Sequence, residues 1–369
     1  MNNTWGTRVA LLVLSFFSGG CLSMQASMNG ALAKPLGNDF AAVCVSFIGG
    51  VIALALLSPL SLGMKKQPPA KEPWRWWQIV VPPSCGAYYI SMGTLLGPII
   101  GFSIFFVCIV CGQLLVSVIV DHIAFLGIPR KRATPVKVLS VALVVLGAVL
   151  GGIEGAGVSD DLGVFIGLML AALLGGVLLG ISLPITTTFT ARMGTLPHRT
   201  TLMVFSLGTI FSIAIWAISL TSEPFTPDYS KVEFWMALGG PAGATFVVVS
   251  IALGPILGIT LFSIASVSGQ LGVSFLIDTF GLLRSEQVPA TPLRIAGVLV
   301  ALLGAALFSF ASSEEIEVDI IADEKVIEAE AEVENNYQLS ISSTSDESAG
   351  FVANAPANGS DQTFVDPEV

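Results

Sequence analysis

The sequence predicts an all-α integral membrane protein with ten transmembrane helices, built as two inverted five-helix repeats. Three observations lead to this fold class: the composition, ten long apolar runs, and polar residues that recur at a constant spacing. Hydrophobic residues make up 53% of the 369 residues and charged residues only 11%. A water-soluble protein of this length needs a more polar surface, so the composition indicates a lipid environment.

Ten apolar runs are long enough to cross a bilayer, which takes about 20 residues in a helix. The segments between them are rich in Pro, Gly and charged residues, such as Arg130-Lys131-Arg132. Trp74 and Trp235 precede the third and eighth runs, where an aromatic belt at the membrane surface is expected. The runs cover residues 9–32, 41–60, 78–97, 99–121, 136–153, 162–190, 201–220, 235–254, 256–278 and 293–311.

An internal repeat relates the two halves of the chain. Gly97-Pro98 recurs 157 positions later as Gly254-Pro255. Chance similarity between apolar segments would not align polar residues as well, so the repeat indicates a duplication. Five spans per repeat is an odd number, so the second repeat enters the membrane from the opposite face, as in many secondary transporters. The polar pairs related by the same shift are Gln113 with Gln270, Ser117 with Ser274, and Asp121 with Asp278.

The predicted domains are the first repeat at residues 1–157, the second repeat at 158–312, and an acidic tail at 313–369. The tail holds 15 of the 26 acidic residues and only one base, Lys325. Its low aliphatic content predicts a disordered cytosolic segment. Neither part has the dense basic face that binding to nucleic acid requires.

Basic residues in the short loops predict that both termini are cytoplasmic, in the plasma membrane or an internal membrane. Eleven bases fall on the N-terminal side of the membrane and four on the other. The eleven are Arg8, Lys65, Lys66, Lys71, Arg75, Arg130, Lys131, Arg132, Lys137, Arg192 and Arg199, and the four are Lys34, Lys231, Arg284 and Arg294.

Polar residues inside the fourth and ninth runs are four apart, so each set lies on one helix face. Gln113 and Gln270 are expected near the membrane midplane, with Asp121 and Asp278 at opposite membrane surfaces. Such residues usually face the bundle interior and are functional candidates. Alternatively, the glutamines hydrogen-bond neighbouring helices and the aspartates cap helix ends. In the first run, Gln25 and Asn29 are open to the same two interpretations, solute contact or helix packing.

Several proline positions are candidate hinges. Gly97-Pro98 and Gly254-Pro255 are expected at tight reversals between consecutive spans, with Pro in the first turn of the next helix, and either hinges or simple turns explain them. Pro184 inside the sixth run is expected to kink the helix or to free a backbone carbonyl, for a solute or for packing alone.

No signature of an enzyme or of a bound cofactor is present. The five cysteines lack metal-ligand spacing, the two histidines are far apart, and no phosphate-binding Gly-Lys-Ser/Thr loop occurs. We therefore predict no catalytic residues, no metal and no cofactor. No acid lies in the middle of a run, so Asp121 and Asp278 are the candidates for gating or for proton or sodium coupling. The aspartates, together with an expected absence of buried bases, favour a neutral or cationic solute.

A family resemblance is carried by residues Gly19 to Gly50, which include Gln25 and Asn29, and by the repeated Gly-Gln-Leu and Asp motifs. Through these residues the sequence resembles the YdcZ-like branch of the drug/metabolite transporter superfamily. The resemblance covers residues 9–311 as a fused ten-span form and implies an exporter fold. In the sixth run, Pro184 falls near the position of Gln25, and Thr188 near that of Asn29.

These observations favour a secondary transporter, an exporter of a small metabolite or drug-like solute that works by alternating access between the inverted repeats. Its partners would be the solute and membrane lipids. The alternative is a membrane scaffold or receptor whose acidic tail recruits cytosolic partners. The predicted solute contacts are Gln25, Asn29, Gln113, Ser117, Thr188, Gln270 and Ser274.

Overall fold

A computed structural model describes residues 5–61, 68–70, 73–122, 134–155, 162–222, 225–257 and 259–311. The acidic tail predicted at residues 313–369 lies outside the described residues. The described residues up to 311 belong to one compact unit, which therefore contains both predicted repeats.

Ten described helices are long and apolar enough to cross a membrane, which confirms the predicted number of spans. Short 3-10 helices follow α2, precede α8 and follow α9, and the remaining described segments are turns and loops. The helices are α1 (Trp5–Leu36), α2 (Asp39–Leu57), α3 (Trp77–Ile100), α4 (Phe102–His122), α5 (Pro135–Gly155), α6 (Leu162–Met193), α7 (Pro197–Ser219), α8 (Gly239–Leu257), α9 (Ile259–Phe280) and α10 (Pro292–Ala311).

The helix boundaries follow the same repeat as the sequence. Both ends of α1, Trp5 and Leu36, are 157 positions before the two ends of α6, Leu162 and Met193. Pro135 and Pro292 begin α5 and α10 with the same separation, and Pro is favoured at the first helical position. Few residues are identical between α1 and α6. In these two helices the duplication is therefore preserved in helix length rather than in residue identity.

The first helix of each repeat packs against helices of the other repeat, and we call α1 and α6 the exchanged helices. Helix α1 packs against α8 and α9, and α6 packs against α3 and α4. Helix α2 packs against its own counterpart α7, and α4 also contacts α9. The two repeats are therefore interlocked and share one core, with a pseudo-two-fold relation between their contacts.

Glycines allow the backbones of the exchanged helices to meet. A Cβ atom on Gly19 of α1 would lie 1.8 Å from the carbonyl oxygen of Ser266 in α9. At the related contact, a Cβ on Gly176 of α6 would lie 2.0 Å from the carbonyl oxygen of Ile109 in α4. Any larger residue would push these helices apart, and small residues are typical of close helix pairs in membranes.

The predicted reversals at Gly97-Pro98 and Gly254-Pro255 are wrong. Pro98 lies inside α3, which continues to Ile100, and Pro255 lies inside α8. The chain reverses after α3 at Gly101, whose φ of +84° is accessible to glycine and strained for other residues. Pro98 has no N–H for the carbonyl of Thr94, which lies four residues earlier in α3.

Candidate functional site

The two amides of α1, Gln25 and Asn29, lie against a pair of glycines in α8. The Gln25 side chain occupies the space beside Gly243, where a Cβ would be 2.3 Å from its Oε1 atom. The Asn29 side chain lies in the same way beside Gly239. The sequence of α8 leaves room for these amides because both positions lack a side chain, so the structure brings Gln25 and Asn29 together at one helix contact.

Asn29 has no hydrogen-bond partner in the described structure. Its side chain is 1% exposed, and both Nδ2 and Oδ1 are buried without a partner. Gln25 is better placed, since its Nε2 donates to Ser46 Oγ at the long distance of 3.4 Å. A buried polar group without a hydrogen bond costs roughly 1–3 kcal/mol, so Asn29 destabilises the fold unless it serves a ligand or another state. Other buried hydroxyls without a partner among the described residues are those of Ser27, Tyr89, Ser91, Ser266 and Thr279.

Gln270 and Ser274 of α9 are buried, and the backbone of Gln270 lies at the contact between α9 and α1. Ser23 Oγ donates to the backbone carbonyl oxygen of Gln270 at 2.7 Å. Ser274 Oγ donates to the carbonyl of Leu271 in its own helix. The Oε1 atom of Gln270 is buried without a partner, so this amide, like Asn29, has unused hydrogen-bonding capacity.

The structure does not bring all predicted solute contacts into one cluster. Ser23, which binds α9, and Gln25, which packs on α8, are two residues apart and therefore about 200° apart around α1. Helix α1 thus separates the Gln25 and Asn29 pair from Gln270.

Gln113 and Ser117 of α4 are only half-buried, whereas their repeat counterparts Gln270 and Ser274 are fully buried. The backbone of Gln113 lies beside α6, where a Cβ on Gly180 would be 3.2 Å from the Gln113 Cα. Equivalent positions of the two repeats are therefore packed unequally in this structure, as expected of a pseudo-symmetric protein in one of two related states.

The repeat contacts align α6 differently from the sequence interpretation. Since Gly19 is related to Gly176 by 157 positions, Gln25 and Asn29 correspond to Ser182 and Thr186, not to Pro184 and Thr188. Ser182 and Thr186 are buried, whereas Thr188 is half-buried. Helix α6 continues through Pro184, which has no N–H for the carbonyl of Gly180.

Asp278 caps the start of another helix. Its Oδ1 accepts from the Phe102 amide at 2.9 Å, and its Oδ2 accepts from the Ser103 amide at 2.8 Å and from Ser103 Oγ at 2.6 Å. The first amides of α4 lack partners within their own helix, and a carboxylate at that end is favoured by the helix dipole. Of the two interpretations left open for Asp278, this geometry supports the cap.

Arg294 completes this cluster. Its Nη2 lies 3.0 Å from Asp278 Oδ2, and the side chains of Arg294 and Asp278 are 5% and 2% exposed. The same Nη2 donates to Ser103 Oγ at 2.6 Å. Asp278 at the end of α9, Arg294 at the start of α10 and Ser103 at the start of α4 therefore connect three helices in a buried network. We call these three residues the Asp278 cluster.

The expected absence of buried bases is wrong. Arg294 is buried, and so is Lys137, which occupies the related position of the first repeat and is 0% exposed. The Lys137 Nζ lies over the Phe308 ring of α10, 5.9 Å from its centroid. The count of loop bases includes Lys137 on the N-terminal side of the membrane and Arg294 on the opposite side. The predicted orientation therefore rests on the remaining loop bases. The side chain of Asp121, the other predicted gating residue, lies outside the described residues.

One sequence signal could have identified these bases. Lys137 and Arg294 are each two residues after the proline that begins their helix, in a first turn that favours acids rather than bases. A base that recurs at such an unfavourable position in both repeats indicates a fixed partner.

The ten apolar helices and the two interlocked repeats define a multi-pass integral membrane protein. The chain belongs to the family described as "Putative inner membrane exporter, YdcZ", which matches residues 10–150 and again residues 168–307. No curated protein matches the chain. One solved structure, titled "Crystal structure of protein", shares the fold with a TM-score of 0.51 and 18% identity, over 84% of this chain and 99% of that one.

Proposed function

We propose that this protein is a secondary transporter that exports a small solute by alternating access between its two repeats. The observation that carries the proposal is the exchange of α1 and α6 through matched contacts, Gly19 on Ser266 and Gly176 on Ile109. Because the two contacts are equivalent, rocking of one repeat against the other can interconvert two states of similar packing, in which opposite membrane faces are open.

The solute contacts in this proposal are the midplane amides with unused hydrogen bonds. Asn29 offers a donor and an acceptor on one side of α1, and Gln270 offers an acceptor on the other side. Gln113 is half-buried in this structure and would exchange exposure with Gln270 as the repeats move. Gln25, Ser117, Ser274 and Thr188 are supporting positions.

Coupling to an ion makes a different demand on Asp278. A carboxylate that binds a proton or sodium ion must first lose some of its present donors, the Phe102 and Ser103 amides, Ser103 Oγ and Arg294. We therefore propose that Asp278 holds helices together during solute transport, and that any coupling by Asp278 accompanies the opening of its cluster.

A flux assay tests the proposal. Purified protein in liposomes is screened for uptake and efflux of solutes, with and without a proton or sodium gradient. The Gln113→Ala/Gln270→Ala double variant is expected to lower flux at least tenfold, since two hydrogen bonds of about 1 kcal/mol each are lost. Ser206→Ala is the matched control, because Ser206 is exposed and bonds only within α7. Absence of protein-dependent flux across a broad panel would contradict the proposal and favour the scaffold alternative.

A further inference from the structure

A cavity of about 460 Å³ lies beside the Asp278 cluster. This partly open cavity is lined by the end of α3, the start of α4, Asp278 and the connection between α9 and α10. Apolar walls come from Pro98, Ile99, Ile104 and Val288, and Arg294 lines the same space. This volume is within the range of small-molecule sites, which are mostly apolar with a few polar groups that fix the ligand.

Arg294, which lines this cavity, has unused hydrogen-bond donors. Its side-chain hydrogen bonds, to Ser103 and Asp278, both use Nη2. Among the described residues, Nε and Nη1 have no hydrogen-bond partner. A guanidinium has five N–H donors and no acceptor, so three N–H groups of a buried, permanently charged side chain remain available.

The hydrogen-bonding groups at the cavity, rather than its net charge, favour a ligand that supplies acceptors, since the lining holds one base, Arg294, and two acids, Asp278 and Glu286. The Asp278 carboxylate is already bound by two backbone amides, one hydroxyl and Arg294. The start of α4 contributes a further partial positive charge. Glu286 also lines the cavity, but it is exposed to solvent, so its charge is screened by water. The unused groups next to the guanidinium are therefore donors, and a ligand must supply acceptors.

We propose that this cavity binds the carboxylate or phosphate group of a small organic anion, with Arg294 as its charged contact. The anionic group accepts from the Nη1 or Nε side of the guanidinium, and the apolar part of the ligand lies along Ile99 and Val288. Binding is independent of transport. If the bound anion is also the exported solute, the proposal rests on the proposed function and names the chemical class of that solute.

Binding is measured by calorimetry on the full chain in detergent, with benzoate and phenyl phosphate as soluble probes and short-chain phosphatidylglycerol as a lipid probe. The wild type is expected to bind a probe at millimolar concentration. The Asp278→Asn/Arg294→Gln variant, which removes both charges together, is expected to bind at least tenfold more weakly. Arg284→Gln is the matched control, because Arg284 pairs with Glu233 at the surface and is expected to leave binding unchanged.

A second variant guards against a folding defect. Val288→Trp fills the cavity and leaves the Asp278 cluster intact, so it is expected to abolish binding while gel filtration shows a native profile. Binding of the soluble probes supports an organic-anion site, and binding of phosphatidylglycerol alone assigns the same anion chemistry to a lipid headgroup. No binding of any probe, or equal binding in both variants and the wild type, overturns the proposal. Flux that depends on Gln113 and Gln270 would survive that result.

Discussion

Arg294 and Asp278 form an ion pair in which Nη2 and Oδ2 are 3.0 Å apart and both side chains are almost completely buried. The pair lies where α9 ends, α10 begins and α4 begins. Buried ion pairs are costly to form, and they are also costly to break one residue at a time, because the remaining charge has no compensation.

The first prediction concerns this pair. Arg294→Gln is expected to destabilise the protein by about 3–5 kcal/mol, since the Asp278 carboxylate then remains buried without its cation. The Asp278→Asn/Arg294→Gln variant is expected to recover part of that loss, because no charge then remains buried, although the single amide oxygen can accept from only one of the Phe102 and Ser103 amides. The apparent Tm in detergent measures both effects.

A surface pair provides the control for this prediction. Arg284 and Glu233 also form an ion pair, but their side chains are 54% and 46% exposed. Arg284→Gln is therefore expected to cost less than about 1 kcal/mol. A double variant no more stable than Arg294→Gln would show that the buried charge of Asp278 is not the source of the loss.

The second prediction concerns the exchanged helices. Gly19→Ala and Gly176→Ala are each expected to destabilise the fold by about 1–3 kcal/mol, because the added methyl group meets a backbone carbonyl that cannot move alone. The two losses are expected to be similar, since the two contacts are related by the repeat. The measurement is the apparent Tm of each variant.

Gly86→Ala is the control, because no atom lies within 4 Å of a Cβ at that position. It is expected to leave the Tm unchanged or to raise it slightly, as alanine favours a helix over glycine. A large loss for Gly19→Ala with none for Gly176→Ala would argue against equivalent contacts in the two repeats.

The sequence predicted the spans and the repeat because both leave local signals. Apolar length identifies each helix, and the shift from Gln113 to Gln270 is visible without any knowledge of packing. The helix partners leave no such signal. That Asn29 would lie against Gly239 of α8 depends on how the two repeats interlock, and that arrangement is set by the whole bundle rather than by α1.

The buried bases were missed for a related reason. Counting loop charges treats a base near a helix end as solvated, whereas Arg294 is folded onto Asp278 and Ser103 from two other helices. The reversal near α3 was misplaced because Pro98 is a strong turn signal. The residue that turns is Gly101, whose positive φ is not encoded by a proline pattern.

The third prediction separates structure from function at Asn29. Asn29→Leu replaces a buried amide that has no partner with an apolar side chain of similar size, so it is expected to keep or raise the apparent Tm. The same variant is expected to lower solute flux at least tenfold, if the amide serves the solute. The two measurements are made on the same purified sample.

Asn38 is the matched control for this prediction. Its side chain caps α2 by accepting from the Ala41 amide at 2.9 Å, so Asn38→Leu is expected to cost about 1 kcal/mol and to leave flux per folded molecule intact. A lower Tm with undiminished flux for Asn29→Leu would assign Asn29 to packing alone.

The fourth prediction concerns the inverted orientation of the repeats. Pro73 before α3 and Ser230 before α8 are both exposed and are separated by 157 positions, so they are equivalent points of the two repeats. If the repeats are inverted, Pro73→Cys faces the cytoplasm and Ser230→Cys faces the opposite side. A membrane-impermeant maleimide added to intact cells is then expected to label Ser230→Cys alone, and to label Pro73→Cys only after the cells are opened.

The native cysteines are buried or half-buried, so the wild type provides the background labelling. Labelling of both variants from the same side would contradict inverted repeats and, with them, the alternating-access proposal, whereas labelling of Pro73→Cys alone in intact cells would keep the inversion and reverse the predicted orientation.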